Sequence, residues 1–300
     1  MKFKELGLSD QHLFERFLSL DEHELSTYQF CNIFIWRKLF KIFYIILDDY
    51  LCLFFKDSQT CFMYLPPLGR RPDSAVIKNC FAIMDEFNLN KQVSRIENVE
   101  AGYLWFYQKS GYAYYAKPGD YLCKRSDIAD LKGNRFKSQR ACYNYFIKHY
   151  EFEFRPYLLK DIDACLGLYE QWAEARKRKY SLAFYQQMLK DNFLCQAVAM
   201  KNFFRLGLIG YVIEIKGKIA GYTFGFSINP GMFCILSEIC DLAYRGISQF
   251  IFSQFCQRLS GYEYINIMDD SGLENLRKVK LSYHPLRIVP NYIIKRKDYA

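Results

Sequence analysis

Three apolar strand signals follow one another closely between residues 212 and 239: 212–215, a Lys216-Gly217 turn, 219–226, and then 232–239. The chain next runs through Asp241 and Gly246 into an amphipathic helix carrying Ile247, Phe250, Ile251, Phe255 and Leu259 on its apolar stripe. A buried strand follows at 264–268. Strand, glycine turn, helix and strand in this order point to a mixed α/β unit. The turn also presents backbone N–H groups at a helix start, where Gly246 and Ser248 suit an anion; a plain turn glycine is the alternative.

The rest of the chain reads in the same style. Helices are expected near 9–20, 73–88, 98–109, 134–149, 159–179 and 246–259, with further strands near 43–47, 50–56, 60–65, 151–155, 263–268 and 286–295. Asp48 and Asp49 interrupt the most apolar stretch and mark a hairpin turn, and that stretch is too short to span a bilayer. Pro118-Gly119 is expected to close the first strand-rich block. With 300 residues and no low-complexity linker, we expect two α/β domains, 1–150 and 151–300, with a soft boundary near 150 and a substantial interface.

Charge is unevenly placed. Residues 117–148 and 275–297 contribute +5 and +7 to a net charge of +9, so the remainder is slightly acidic. If the two segments meet they form an anion site; two separate solvated faces are the alternative. The cations from Arg176 to Lys179 are explained by a helix C-terminus. Aromatic residues make up 18% of the chain, and most are expected in cores and not in base stacking. The eleven cysteines are scattered singly without a CxxC pair, and the N-terminus lacks the apolar run of a signal peptide. Both observations suggest a reducing, cytoplasmic setting. The four histidines (12, 23, 149 and 284) are isolated and no metal-ligand spacing occurs, so no metal is expected.

Candidate chemistry concentrates near the C-terminus. Asp269 and Asp270 end the 264–268 strand, Gly272 turns the chain, and a short basic helix carries Arg277 and Lys280 on one face. Asp270 as a helix cap with solvated cations is the structural alternative. Glu238 is a lone carboxylate in an apolar strand, either functional or partnered within the core.

The strand order and the Tyr244-Arg245-Gly246 turn resemble the GNAT acyltransferase fold. Two motifs are more specific: Leu131, Gly133, Arg135, Lys137 and Arg140 with Tyr143 and Phe146, then Asp269, Asp270 and Gly272 leading to Arg277, Lys280, Ser282, Tyr283 and Pro285. In that order they resemble the lysylphosphatidylglycerol synthase C-terminal domain family. The resemblance implies tandem GNAT-like domains with a groove between them, and transfer of an aminoacyl group from aminoacyl-tRNA to an amine or hydroxyl acceptor, a lipid head group or another small molecule. Without a transmembrane segment, contact with a membrane would be peripheral. On this reading Lys137, Arg140, Arg277 and Lys280 hold phosphate or carboxylate groups, Asp269 or Asp270 orients or deprotonates the acceptor, and Tyr283 supplies a hydrogen bond. The chain departs from the family pattern at Gln139, Ala141 and Met268, each losing a polar group. No cofactor is required. An acyl-coenzyme A donor bound at Gly246 and Ser248 is the alternative, although Ala243, Gly246 and Ser248 match the coenzyme A signature incompletely. A non-catalytic ligand-binding module is the third reading.

Overall fold

The computed structural model describes residues 2–180 and 182–297. The first elements are β1 (Lys4–Glu5), α1 (Gln11–Leu18), α2 (Phe30–Phe34), β2 (Lys41–Leu47), β3 (Tyr50–Lys56), β4 (Cys61–Met63), α3 (Ser74–Phe87), β5 (Ile96–Glu100), α4 (Leu104–Lys109) and β6 (Tyr112–Lys124). Then come α5 (Arg125–Asp130), α6 (Lys137–His149), β7 (Glu153–Pro156), α7 (Ile162–Lys179), α8 (Ala183–Lys201), β8 (Ile209–Ile215) and β9 (Lys218–Asn229). The chain ends with β10 (Met232–Cys240), α9 (Ile247–Arg258), β11 (Tyr264–Asn266), α10 (Glu274–Leu281) and β12 (Arg287–Arg296). Among the described residues two compact units result, one of residues 2–120 with 289–297 and one of residues 121–180 with 182–288. Residues 121–150, read from sequence with the first half, thus pack in the second unit, because α5 and α6 lie against α9.

In the first unit the strands follow the order β1-β2-β3-β4-β5-β12. The hairpin β2–β3 turns at Asp48 and Asp49, whose φ values of 45° and 66° give the doubly left-handed turn that matches strand twist. Aromatic rings fill this core: Phe43 stacks on Phe54 at 5.4 Å and Phe55 on Tyr64 at 4.4 Å. Asp73 caps α3 by accepting from the Ala75 and Val76 amides. The helix expected at 98–109 is corrected. Residues up to Glu100 belong to β5, where Asn98 takes φ +56° and its side chain donates to the Tyr64 carbonyl, and the α-helix starts only at Leu104. Pro118 does not close a block but lies exposed within β6.

In the second unit the strands run β6-β11-β10-β9-β8-β7. Lys216 and Gly217, at φ 50° and 74°, turn β8 into β9. Gly221 on β9 faces Ile247 of α9, while Tyr222 and Phe224, alternating with it, reach Gln196 and Phe203 on the other face. Helices therefore cover both faces. Of the eleven cysteines ten are buried and Cys142 is half-buried; all are free thiols. Among the described residues no helix is long and apolar enough to cross a membrane.

Candidate active site

The site begins where two parallel strands part. β10 pairs with β11 over Met232, Phe233 and Cys234 only, yet β10 continues to Cys240. A bulge against β9 between Ile235 and Ser237 bends it further. Leu236, Ser237 and Glu238 on one side, and Ile267, Met268 and Asp269 beyond β11 on the other, are consequently part-exposed. This opening lies at the carboxyl ends of neighbouring parallel strands, the usual ligand position in such sheets.

Glu238 is the chemically notable group here. The residue is half-buried, but Oε2 is shielded from solvent and has no hydrogen-bond partner. Burial penalises the charged form and pushes its pKa up to about 8. Of the two readings of Glu238, that of a partnered core acid finds no partner at Oε2. Directly opposite on β9 stands Thr223, whose buried Oγ1 also lacks a partner. Tyr283 is buried with its ring edge-on to Phe252 at 4.6 Å. Burial, and next the negative charge of Glu238, hold its hydroxyl proton well above the usual tyrosine range.

The four candidate cations separate into two kinds. Arg140 Nη1 donates to the Leu131 carbonyl and, at 3.1 Å, to the Gly133 carbonyl. Lys280 Nζ donates to the Ile267 carbonyl and, at 3.3 Å, to that of Met268. Leu131 and Met268 have φ of 49° and 60°, so each cation braces a carbonyl displayed by a left-handed residue. Lys137 and Arg277 are instead exposed. Gln139 reaches across from α6 to donate to the Ser282 carbonyl at 2.7 Å, and Ala141 is exposed.

The two aspartates differ too. Asp269 accepts from the Ser271 amide at 2.6 Å and shapes its own turn. Asp270 is 8% exposed; Oδ1 accepts from the Gly272 amide at 2.9 Å and Oδ2 from the Tyr121 hydroxyl at 2.7 Å. Burial together with this carboxylate pushes the Tyr121 pKa up to about 12, and Arg277 acts in the opposite sense. Tyr121 and Thr223 were not singled out by sequence. The available signal for Thr223 was the one used for Glu238, a polar residue inside an apolar strand.

Gly246 caps α9 at φ +88°, and a Cβ there would stand 2.0 Å from the Cys142 carbonyl oxygen and 3.2 Å from the Phe146 Cβ. Helix α6 thus occupies the space beside this turn. Packing accounts for the glycine at 246 without a bound anion.

Together, the paired α/β units and the opening between β10 and the chain beyond β11 define a tandem protein of the GNAT acyltransferase fold. A tandem GNAT protein from the clavulanic acid biosynthesis pathway shares it at TM-score 0.53 and 10% identity, over 98% of this chain and 97% of that one. The chain belongs to the family described as phosphatidylglycerol lysyltransferase, C-terminal, which matches residues 20–295. A conserved protein of unknown function from Bacteroides thetaiotaomicron is similar at 28% identity and TM-score 0.87, over 99% of this chain and 100% of that one. The structure of L-PGS from Bacillus licheniformis is similar at 19% identity and TM-score 0.66, over 98% and 94% of the two chains. An uncharacterised protein of Mycoplasmoides gallisepticum is 24% identical over 179 residues, which is 59% of this chain and about half (56%) of that protein's length.

Proposed function

We propose that this chain transfers an aminoacyl group from aminoacyl-tRNA to a hydroxyl or amine acceptor, with Glu238 as the proton acceptor. The observation that carries the reading is the Glu238 carboxyl, beside an opening at the strand ends and tuned by burial to about pH 8. A base with this affinity is matched to proton transfer near neutral pH. The acceptor's O–H or N–H loses its proton to Glu238 while oxygen or nitrogen adds to the ester carbonyl. When the tetrahedral intermediate collapses, the terminal ribose oxygen of the RNA leaves and takes that proton back. Tyr283, which keeps its proton, is a neutral donor for charge developing in this region. Lys137 and Arg277 are the exposed cations left to meet donor phosphates. Asp270 acts by holding Tyr121, and Asp269 by shaping the turn, so neither carries the proton. The eleven free thiols fit a reducing cytoplasm.

Acceptors of two kinds suit this chemistry, a lipid head group met peripherally at a membrane surface and a small soluble amine or alcohol. Coenzyme A as donor is the alternative; the close packing of Gly246 on Cys142 explains that glycine without a pyrophosphate, and Ala243, Gly246 and Ser248 match the coenzyme A signature incompletely.

The test is to incubate the purified protein with an aminoacylated tRNA pool and vesicles of phosphatidylglycerol, or a small amine, from pH 6 to 9. Acceptor-dependent loss of the aminoacyl ester should rise through about pH 8 and be abolished in Glu238→Gln. Full activity in that variant overturns the role of Glu238, and RNA binding without turnover identifies a binding module instead.

A further inference from the structure

Among the described residues, buried side-chain oxygens without a hydrogen-bond partner are few, and two of them face one another. Glu238 on β10 and Thr223 on β9 are directly paired in register, so both side chains project to the same face with Cβ atoms roughly 5 Å apart. Thr223 is 1% exposed, and neither its Oγ1 nor Glu238 Oε2 has a partner. Unpaired buried polar atoms are costly, and two at adjacent positions are more readily explained as a pair than as separate accidents.

We infer that Thr223 is a positioning residue for Glu238: its hydroxyl is the donor that Oε2 takes up when the carboxyl ionises, directly or through one bridging water. This rests on the reading of Glu238 as the base. A threonine hydroxyl suits the task because it accepts from the neutral acid and donates to the anion. The bond to the anion is the stronger of the two, so Thr223 favours ionisation that burial alone resists. The remaining oxygen is then free for the acceptor's proton. Other titratable groups sense the same charge: Tyr283 after α10, Cys256 on α9 and Cys240 on β10 itself. All three are held protonated chiefly by burial and supply no cation.

The experiment follows the Glu238 carboxyl by carbon-13 NMR in protein labelled at glutamate Cδ, assigned by loss of the signal in Glu238→Gln. Burial alone pushes the carboxyl from the ordinary 4.5 up to about 8, so wild type, with Thr223 donating, should titrate above 4.5 and below that limit. Thr223→Val should move the midpoint upward by about half to one pH unit, because the anion loses its donor. Thr223→Ala should move it the same way, and Thr223→Ser should restore it, each variant being confirmed as folded by a cooperative thermal melt. An unmoved midpoint in folded Thr223→Val or Thr223→Ala overturns the inference. The readout needs no turnover, so it is independent of the transfer assay: activity retained by Glu238→Gln sinks the base reading, whereas an unmoved titration sinks the role of Thr223. If both hold, the pH profile of transfer shifts with the carboxyl.

Discussion

Gly246 faces Cys142 so closely that an added methyl would stand 2.0 Å from the cysteine's carbonyl oxygen. The contact ties the start of α9 to the middle of α6, and the left-handed φ of +88° adds a second reason for glycine. Gly246→Ala should lower unfolding free energy by about 3 kcal/mol or more, read by urea denaturation. Gly217→Ala is the control: its φ is +74° but nothing lies within 4 Å, so only the backbone cost of about 1 kcal/mol is expected. Equal losses would remove the argument that α6 fills the space beside the turn.

A buried acid leaves a mark on stability. The folded pKa of Glu238, about 8, lies above the ordinary value of 4.5. Between these limits the folded state binds a proton that the unfolded state releases, so stability is full below about pH 4.5 and declines as pH rises through 8. The slope is at most about 1.4 kcal/mol per pH unit. Glu238→Gln lacks this dependence. Its stability relative to wild type should therefore improve from pH 5 to 8, and a constant difference in chemical denaturation would contradict the assigned burial.

The cations make separable predictions. Lys137→Ala and Arg277→Ala should each weaken tRNA binding and reduce the salt slope of log K by about 1, with melting temperature unchanged. Arg140→Ala and Lys280→Ala remove braces from backbone carbonyls and should lower melting temperature. Fluorescence anisotropy over a salt series, paired with thermal melts, distinguishes the two behaviours. A slope change for Arg140→Ala without destabilisation would place that guanidinium on phosphate.

Tyr121→Phe should cost about 1 to 3 kcal/mol, because Asp270 Oδ2 then loses its buried donor. In Asp270→Asn the Tyr121 ionisation should fall from about 12, while burial, its leading cause, keeps it above the ordinary value of 10. Carbon-13 NMR of tyrosine Cζ follows this directly. If Asp270→Asn and Arg277→Ala both fold normally and keep full transfer activity, neither residue belongs to the working site.

Local signals carried much of the fold. The turns at Asp48-Asp49 and Lys216-Gly217 and the helices at 134–149 and 246–259 depend on neighbours in sequence, and they stand where the pattern puts them. Helix α8 was missed because apolar residues occur around much of its circumference; Tyr185, Leu189, Cys195 and Val198 do not stand out as a clean stripe. The strand at Asn98 depends on distant partners, Tyr64, Lys117 and Asn291, which no local pattern reveals. At the site, residue types were legible and their employment was not. Arg140 and Lys280 look like phosphate ligands in a motif, but left-handed turns at Leu131 and Met268 bring backbone carbonyls to them. Glu238 was visible as an anomaly, whereas its opposition to Thr223 required the register of β9 on β10.

The buried Glu238 carboxyl also changes what a calorimeter reads. Near pH 6 the native protein carries a proton at this residue that the open chain surrenders to solvent, so unfolding there releases nearly one proton from this group. The measured heat must then include the ionisation enthalpy of whichever buffer receives it.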